Sequence, residues 1–131
     1  MKLFLDDIRC PSECTSYMHQ RISELNPIYL EGKWFIVRNY NEFIEAIITY
    51  SSKITHVSFD HDLADAHYHE TMEQGELQYE EYLRLSTKEK TGYECALFMK
   101  QYYDENNLKL PVIFIHSMNP VGVERIKKVF N

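Results

Sequence analysis

The chain has 131 residues, 44% hydrophobic and 26% charged, enough for one domain with a real core and unlike a disordered composition. Fourteen Lys plus Arg against 20 Asp plus Glu leave a formal charge of −6, which argues against bulk nucleic acid as a partner; a small anion would need a cation or a local Arg beside it. No apolar run approaches the ~20 residues of a membrane span, no signal-peptide pattern opens the chain, and Cys10, Cys14 and Cys95 match no paired zinc spacing, so a cytoplasmic protein with reduced thiols and no membrane partner is expected.

Lys2-Leu3-Phe4-Leu5 reads as a first strand, running into Asp6-Asp7-Ile8-Arg9 before Pro11 turns the chain. Tyr17, Met18, Ile22 and Leu25 recur at weakly helical spacing, which predicts a helix from Ser12 to about Leu25, closed by Asn26-Pro27. After a turn at Glu31-Gly32, Trp34-Phe35-Ile36-Val37 forms the second strand. Tyr40, Phe43, Ile44, Ile47 and Ile48 give the next segment one apolar face, an amphipathic helix capped by Asn39 or Asn41. Thr55 to Phe59 is the third strand and stops in Asp60-His61-Asp62. A helix over about Thr91–Asp104, with Tyr93 and Leu97 assigned to the core, leads to a strand over 111–115 that ends in His116-Ser117. A last helix, Pro120 to Phe130, opens with a proline whose missing N–H costs nothing in the first turn.

This alternation predicts an α/β fold: a three-layer sandwich around a receiver- or flavodoxin-like parallel sheet of about four strands, order 2-1-3-4, with no fifth strand. Residues 1–131 would then be a single domain. Residues 64–90 interrupt the alternation and are too long for an ordinary connection. They read as a partly helical lid inserted after strand 3, with a disordered acidic loop as the alternative.

Open parallel sheets place ligands at the carboxyl ends of their strands, where three of these strands stop in ionisable residues. Asp6, Asp7, Asp60 and Asp62 offer carboxylate oxygens that suit Mg²⁺ or Mn²⁺. Because successive side chains alternate in direction, not all four can ligate; Asp7 with Asp60 or Asp62 is the preferred pair, with Asp6 in support. The competing reading is that the acids cap helix N-termini or simply sit in solvent. His61 and His116 follow strands directly, and two imidazoles beside an acidic cluster suit acid–base work, with zinc ligation or plain hydrogen bonding as alternatives. Arg9 is a candidate phosphate clamp or a partner for the neighbouring acids. Ser117 and Asn119 at the opening of the last helix, and Thr91 at the preceding one, read either as phosphate contacts or as ordinary caps.

Leu3-Phe4-Leu5-Asp6-Asp7-Ile8-Arg9 with Pro11, Phe59-Asp60-His61-Asp62-Leu63, Thr91-Gly92-Tyr93 and His116-Ser117-Met118-Asn119-Pro120-Val121-Gly122 together resemble the cyclic-phosphate-processing receiver-like family, a branch of the receiver fold found in bacteria and phages. The motifs run in the family's order from residue 3 to 122. The resemblance implies a receiver-like fold and a phosphoesterase site built from Asp6, Asp7, Asp60, His61, Asp62, His116 and Ser117. The insert after Leu63 is longer than the family leads one to expect. In part the chain also resembles a signalling receiver: Asp6 and Asp7 match its metal-holding acids, Asp60 its phospho-acceptor and Ser117 its hydroxyl. It lacks that receiver's fifth strand and lysine, and His61 and Asp62 after the acceptor position are foreign to it.

The resulting expectation is a metal-dependent phosphoesterase that hydrolyses a small cyclic phosphate or cyclic nucleotide. His61 and His116 would be catalytic, with His116 favoured as general acid. Arg9, Ser117 and Asn119 would contact phosphate, and Asp6, Asp7, Asp60 and Asp62 would hold the metal. The alternatives are a module that binds a cyclic nucleotide without cleaving it, and a degenerate receiver acting through protein contacts.

Overall fold

The computed structural model describes residues 1–14, 27–63 and 90–131. Strands β1 (Lys2–Leu5), β2 (Trp34–Val37), β3 (His56–Phe59) and β4 (Val112–Ile115) form one sheet in the order 2-1-3-4. All neighbouring strands are parallel. Leu5 is level with Val37 on one side and Phe59 on the other, and Phe59 with Ile115, so the four strands end on one line. Helices α1 (Tyr40–Tyr50), α2 (Gly92–Glu105) and α3 (Pro120–Phe130) follow β2, the long segment after β3, and β4. Short 3-10 turns occupy Pro11–Glu13 and Pro27–Leu30. The expected receiver-like topology is the one observed.

The pleat divides the strand side chains between two cores. Leu3, Leu5, Val37, Val57 and Phe59 pack with Phe43 and Ile47 of α1, Met99 and Tyr103 of α2, and Ile126 of α3. Phe4 points the other way and packs with Cys14, Tyr29, Trp34, Ile36 and Phe114. The central strands β1 and β3 are buried on both faces, which is why Leu3-Phe4-Leu5 reads as an unbroken apolar run, whereas Ser58 interrupts β3. Each fully buried Leu, Ile or Phe contributes roughly 1.5–3 kcal/mol, so the larger core carries most of the hydrophobic stabilisation.

Each helix has a side-chain cap. Asn39 accepts from Glu42 N at α1, Thr91 and Glu94 form a capping box at α2, and Asn119 accepts from Gly122 N at α3. Thr91 therefore does what its capping reading required. Gly32 has φ +66°, as the turn after Glu31 needs. Leu97 departs from expectation: it is 43% exposed. The buried stripe of α2 runs through Gly92, Cys95, Ala96, Met99 and Tyr103, and Leu97 lies off it, while Tyr93 is half-buried beneath the guanidinium of Arg125 at 4.2 Å. Of the helix predicted from Ser12 to Leu25 only the opening turn falls among the described residues, and of the 64–90 insert only Lys90 does.

Candidate active site and metal centre

Strand pairing continues one residue past each strand. Asp6 N donates to Val37 O, Asp60 N to Leu5 O, and His116 N to Phe59 O, at 3.1, 2.9 and 3.0 Å. The two-residue pleat therefore carries Asp6 onto the face of Phe4, Asp60 onto that of Ser58, and His116 onto that of Phe114. The contacts agree with this sorting. His116 stacks on Phe4 with ring centroids 4.3 Å apart and planes within 7°. Its Nε2 lies 3.0 Å from Oδ2 of Asp6, and its Nδ1 lies 2.7 Å from Oγ of Ser58. Ser58 Oγ is in turn 2.7 Å from the hydroxyl of Tyr29.

Asp6 and Asp60 are both buried, yet they are pushed in opposite directions. For Asp6, burial raises the pKa, but His116 and the backbone N–H groups of Arg9 and Ile8 hydrogen-bond the carboxylate and together hold it down at about 2. Arg9 adds a guanidinium 3.9 Å from Oδ2. For Asp60, burial and then the charges of Asp6 and Asp7 raise the pKa to about 8, with the hydrogen bond from His61 N opposing them. Burial also lowers the pKa of His116, against the pull of Asp6, which favours the neutral ring.

One donor atom each from Asp6, Asp60 and His116 lies within 4.8 Å of the others, a group that could hold a metal ion. Burial first and then the charges of Asp6 and Asp7 raise Asp60, and a divalent cation between the carboxylates would oppose that rise. The donor set thus fits a hard cation. Among the expected metal residues, it is Asp6 rather than Asp7 that the structure groups with Asp60, because the pleat puts Asp6 and Asp60 on one face. Asp7 acts on Asp60 through its charge.

Asp62 belongs to a second constellation. Its Oδ1 is 3.0 Å from Nδ1 of His61, and Nδ2 of Asn119 lies 3.4 Å from both of its oxygens. His61 is 7% exposed, and its Nε2 is buried with no hydrogen-bond partner among the described residues. Two glycines allow this packing. A Cβ on Gly122 would overlap the His61 ring, and a Cβ on Gly92 would overlap the carbonyl oxygen of Asp60. Gly92 N also donates to His61 O at 2.8 Å, fastening α2 to the end of β3.

The remaining expected residues have structural duties. Ser117 is buried and its Oγ accepts from Asn119 N at 3.1 Å, while Oδ1 of Asn119 caps α3. Three residues went unrecognised in the sequence. Ser58 and Tyr29 complete the chain through His116. Arg38 donates to the carbonyls of Asp6 at 3.2 Å and Arg9 at 2.6 Å, pinning the β1 loop. A hydroxyl inside an otherwise apolar strand was the available signal for Ser58, since a buried hydroxyl requires a partner. Arg38 and Tyr29 carry no comparable mark.

A parallel 2-1-3-4 sheet with acids at the ends of β1 and β3 and a hydroxyl after β4 defines a receiver-type α/β domain. The chain belongs to the cyclic-phosphate processing receiver domain family, whose model matches residues 1–131. Comparison with curated proteins and with solved structures gives no match. No helix among the described residues is long and apolar enough to cross a membrane.

Proposed function

We propose that the protein is a metal-dependent phosphoesterase that hydrolyses a small cyclic phosphate or cyclic nucleotide. The observation that carries this reading is the buried Asp6–Asp60–His116 group at the carboxyl edge of the sheet. Membership of a cyclic-phosphate processing family supplies the substrate class. In the reaction water adds to phosphorus, a ring P–O bond breaks, and the leaving oxygen takes up a proton. Mg²⁺ or Mn²⁺ held by Asp6 and Asp60 would supply positive charge to the phosphoryl oxygens.

The chain's own residues divide the other work. Asp62 would accept from Nδ1–H of His61 and leave its buried, unpartnered Nε2 bare as the base, with Asn119 steadying Asp62. His116 differs from the expected general acid. Both of its nitrogens are engaged inside the protein and the residue is 0% exposed, so its influence on the reaction runs through Asp6. Arg9, Ser117 and the opening of α3 that Asn119 caps are the groups for non-bridging phosphate oxygens.

The test is turnover of cyclic mono- and dinucleotides and 2′,3′-cyclic phosphates with Mg²⁺, Mn²⁺ or Zn²⁺, against a chelated control. Metal-dependent ring opening that is lost in Asp60→Asn is the expected result. Tight binding of a cyclic nucleotide with no product in a single turnover would instead make the protein a binding module.

A further inference from the structure

His116 can stand beside a metal in either of two ways, as a ligand through Nε2 or as a donor that fixes a carboxylate ligand. The hydrogen-bond chain behind it discriminates between them. Oδ1 of Asp6 already accepts two backbone N–H groups, from Ile8 at 3.0 Å and Arg9 at 2.8 Å, which marks an ionised, acceptor-only carboxylate. Its Oδ2 then requires a donor, and the group 3.0 Å away is Nε2 of His116. A neutral imidazole protonated on Nε2 has a bare Nδ1, which accepts from the Ser58 hydroxyl at 2.7 Å. Ser58 has only one proton, so its oxygen accepts from the Tyr29 hydroxyl, also at 2.7 Å. Every group in the chain is satisfied, and all protons point from Tyr29 toward Asp6.

The opposite polarity fails at its far end. Were Nε2 a metal ligand, the ring proton would sit on Nδ1 and donate to Ser58, and Ser58 would donate to Tyr29. The Tyr29 proton would then need another acceptor, and Ser58 is the hydrogen-bond partner of that hydroxyl among the described residues. Tyr29 is only 7% exposed. A buried hydroxyl left without an acceptor costs about 1–3 kcal/mol, or roughly a tenfold to hundredfold bias against that arrangement. Stacking on Phe4 keeps the ring from turning away to another partner.

We infer that Tyr29 and Ser58 are positioning residues of the acidic site: their hydroxyls lock His116 with its proton on Nε2, so that His116 orients Asp6 and the protein ligands of the cation are carboxylates. This rests on the metal site proposed above for its second half and stands alone for its first. Outer partners of this kind typically matter about 10–100-fold in metal affinity.

Two measurements test it. Long-range ¹H–¹⁵N correlation on the metal-free protein reads the His116 tautomer directly. We expect the Nε2–H form in the parent and also in Tyr29→Phe, where the Ser58 hydroxyl still donates to Nδ1 and would be left without an acceptor on reversal. Either an Nδ1–H ring or an imidazolium in the parent at neutral pH, or an Nδ1–H ring in Tyr29→Phe, would overturn the inference. Mn²⁺ is the second probe. Electron spin-echo modulation of bound Mn²⁺ should show no directly coordinated nitrogen, Ser58→Ala should weaken Mn²⁺ about 10–100-fold, and Ser58→Thr should restore it. A nitrogen ligand assigned to His116 would sink the proposal. Failure of Mn²⁺ to bind would remove the metal-dependent reading of function and the carboxylate-ligand half of this inference, with the tautomer measurement still deciding the first half. Mn²⁺ bound by carboxylates without turnover of any cyclic phosphate would count against the phosphoesterase alone.

Discussion

Asp6 and Asp60 occupy neighbouring strand ends on the same face, yet one is held ionised and the other pushed toward its neutral form. The difference lies in donors: Asp6 receives two backbone N–H groups and a ring N–H, whereas the hydrogen bond recorded for Asp60 comes from His61 N alone. The consequence for stability has a definite sign. Asp60 is raised from 3.8 to about 8, so the folded metal-free protein binds a proton that the unfolded chain releases between those values. Its contribution is fully present below about pH 4 and is lost as pH rises toward 8. Asp6, lowered to about 2, works the other way, and its contribution is lost as pH falls from about 4 through 2. Replacing Asp60 with Asn keeps the acceptor for His61 N and removes the charge. In chelator, Asp60→Asn should therefore melt higher than the parent at pH 8, by a margin that shrinks toward pH 4. Equal melting temperatures of the two proteins at pH 8 would show that Asp60 is not held above its ordinary range. At His61 the expected readout is kinetic. Removing a positioned acid–base group typically lowers rate by roughly 10²–10⁴, so His61→Ala should lose kcat with little change in KM. A raised KM at parental kcat would assign His61 to binding instead.

At the level of elements, the helix starts were the most legible part of the chain. Asn39, Thr91 and Pro120 each mark an opening because caps and first-turn prolines follow local rules that need no tertiary partner. Strand order was legible for a similar reason, since short apolar runs alternating with helices admit few right-handed parallel arrangements. What local rules do not carry is which neighbour a side chain meets. The pairing of Asp6 with Asp60, the exposure of Leu97 and the Tyr29–Ser58–His116 chain all depend on register and helix rotation. Gly92 and Gly122 stood in the motifs, but their reason appears only with the backbone of Asp60 and the ring of His61 against them. Neither glycine should tolerate a methyl group. In Gly92→Ala the Cβ meets backbone, which cannot move without displacing α2 from β3, so a loss of at least about 1–3 kcal/mol in denaturant unfolding is expected. In Gly122→Ala it meets the Cβ and the root of the ring of His61, which is buried. That Cβ is fixed by the backbone, so turning the ring cannot clear the overlap and α3 must shift from the end of β3. Stability should fall here too, with kcat following through the displaced His61–Asp62 contact. Parental stability in either variant would contradict this packing.

For the whole molecule, a cation held at the acidic group would make binding and folding one equilibrium. The chain carries a net charge of −6, and two of its acids are buried side by side at the sheet edge. A cation that binds the folded site and not the unfolded chain stabilises by RT ln(1 + [L]/Kd), about 2.7 kcal/mol at a hundredfold excess over Kd. For a domain of this size that corresponds to a rise of several degrees in Tm. Mg²⁺ or Mn²⁺ should therefore raise the melting temperature in a saturable way, and the effect should grow from pH 6 to pH 8 as metal binding displaces the proton on Asp60 more easily. The same titration in Asp60→Asn should be flat. Spermidine at matched ionic strength separates a built site from general screening, since screening would raise the parent and Asp60→Asn alike. A Tm rise of the same size in both proteins, or none in either, would place no cation between Asp6 and Asp60, and catalysis by this domain would have to rest on His61, Arg9 and the opening of α3.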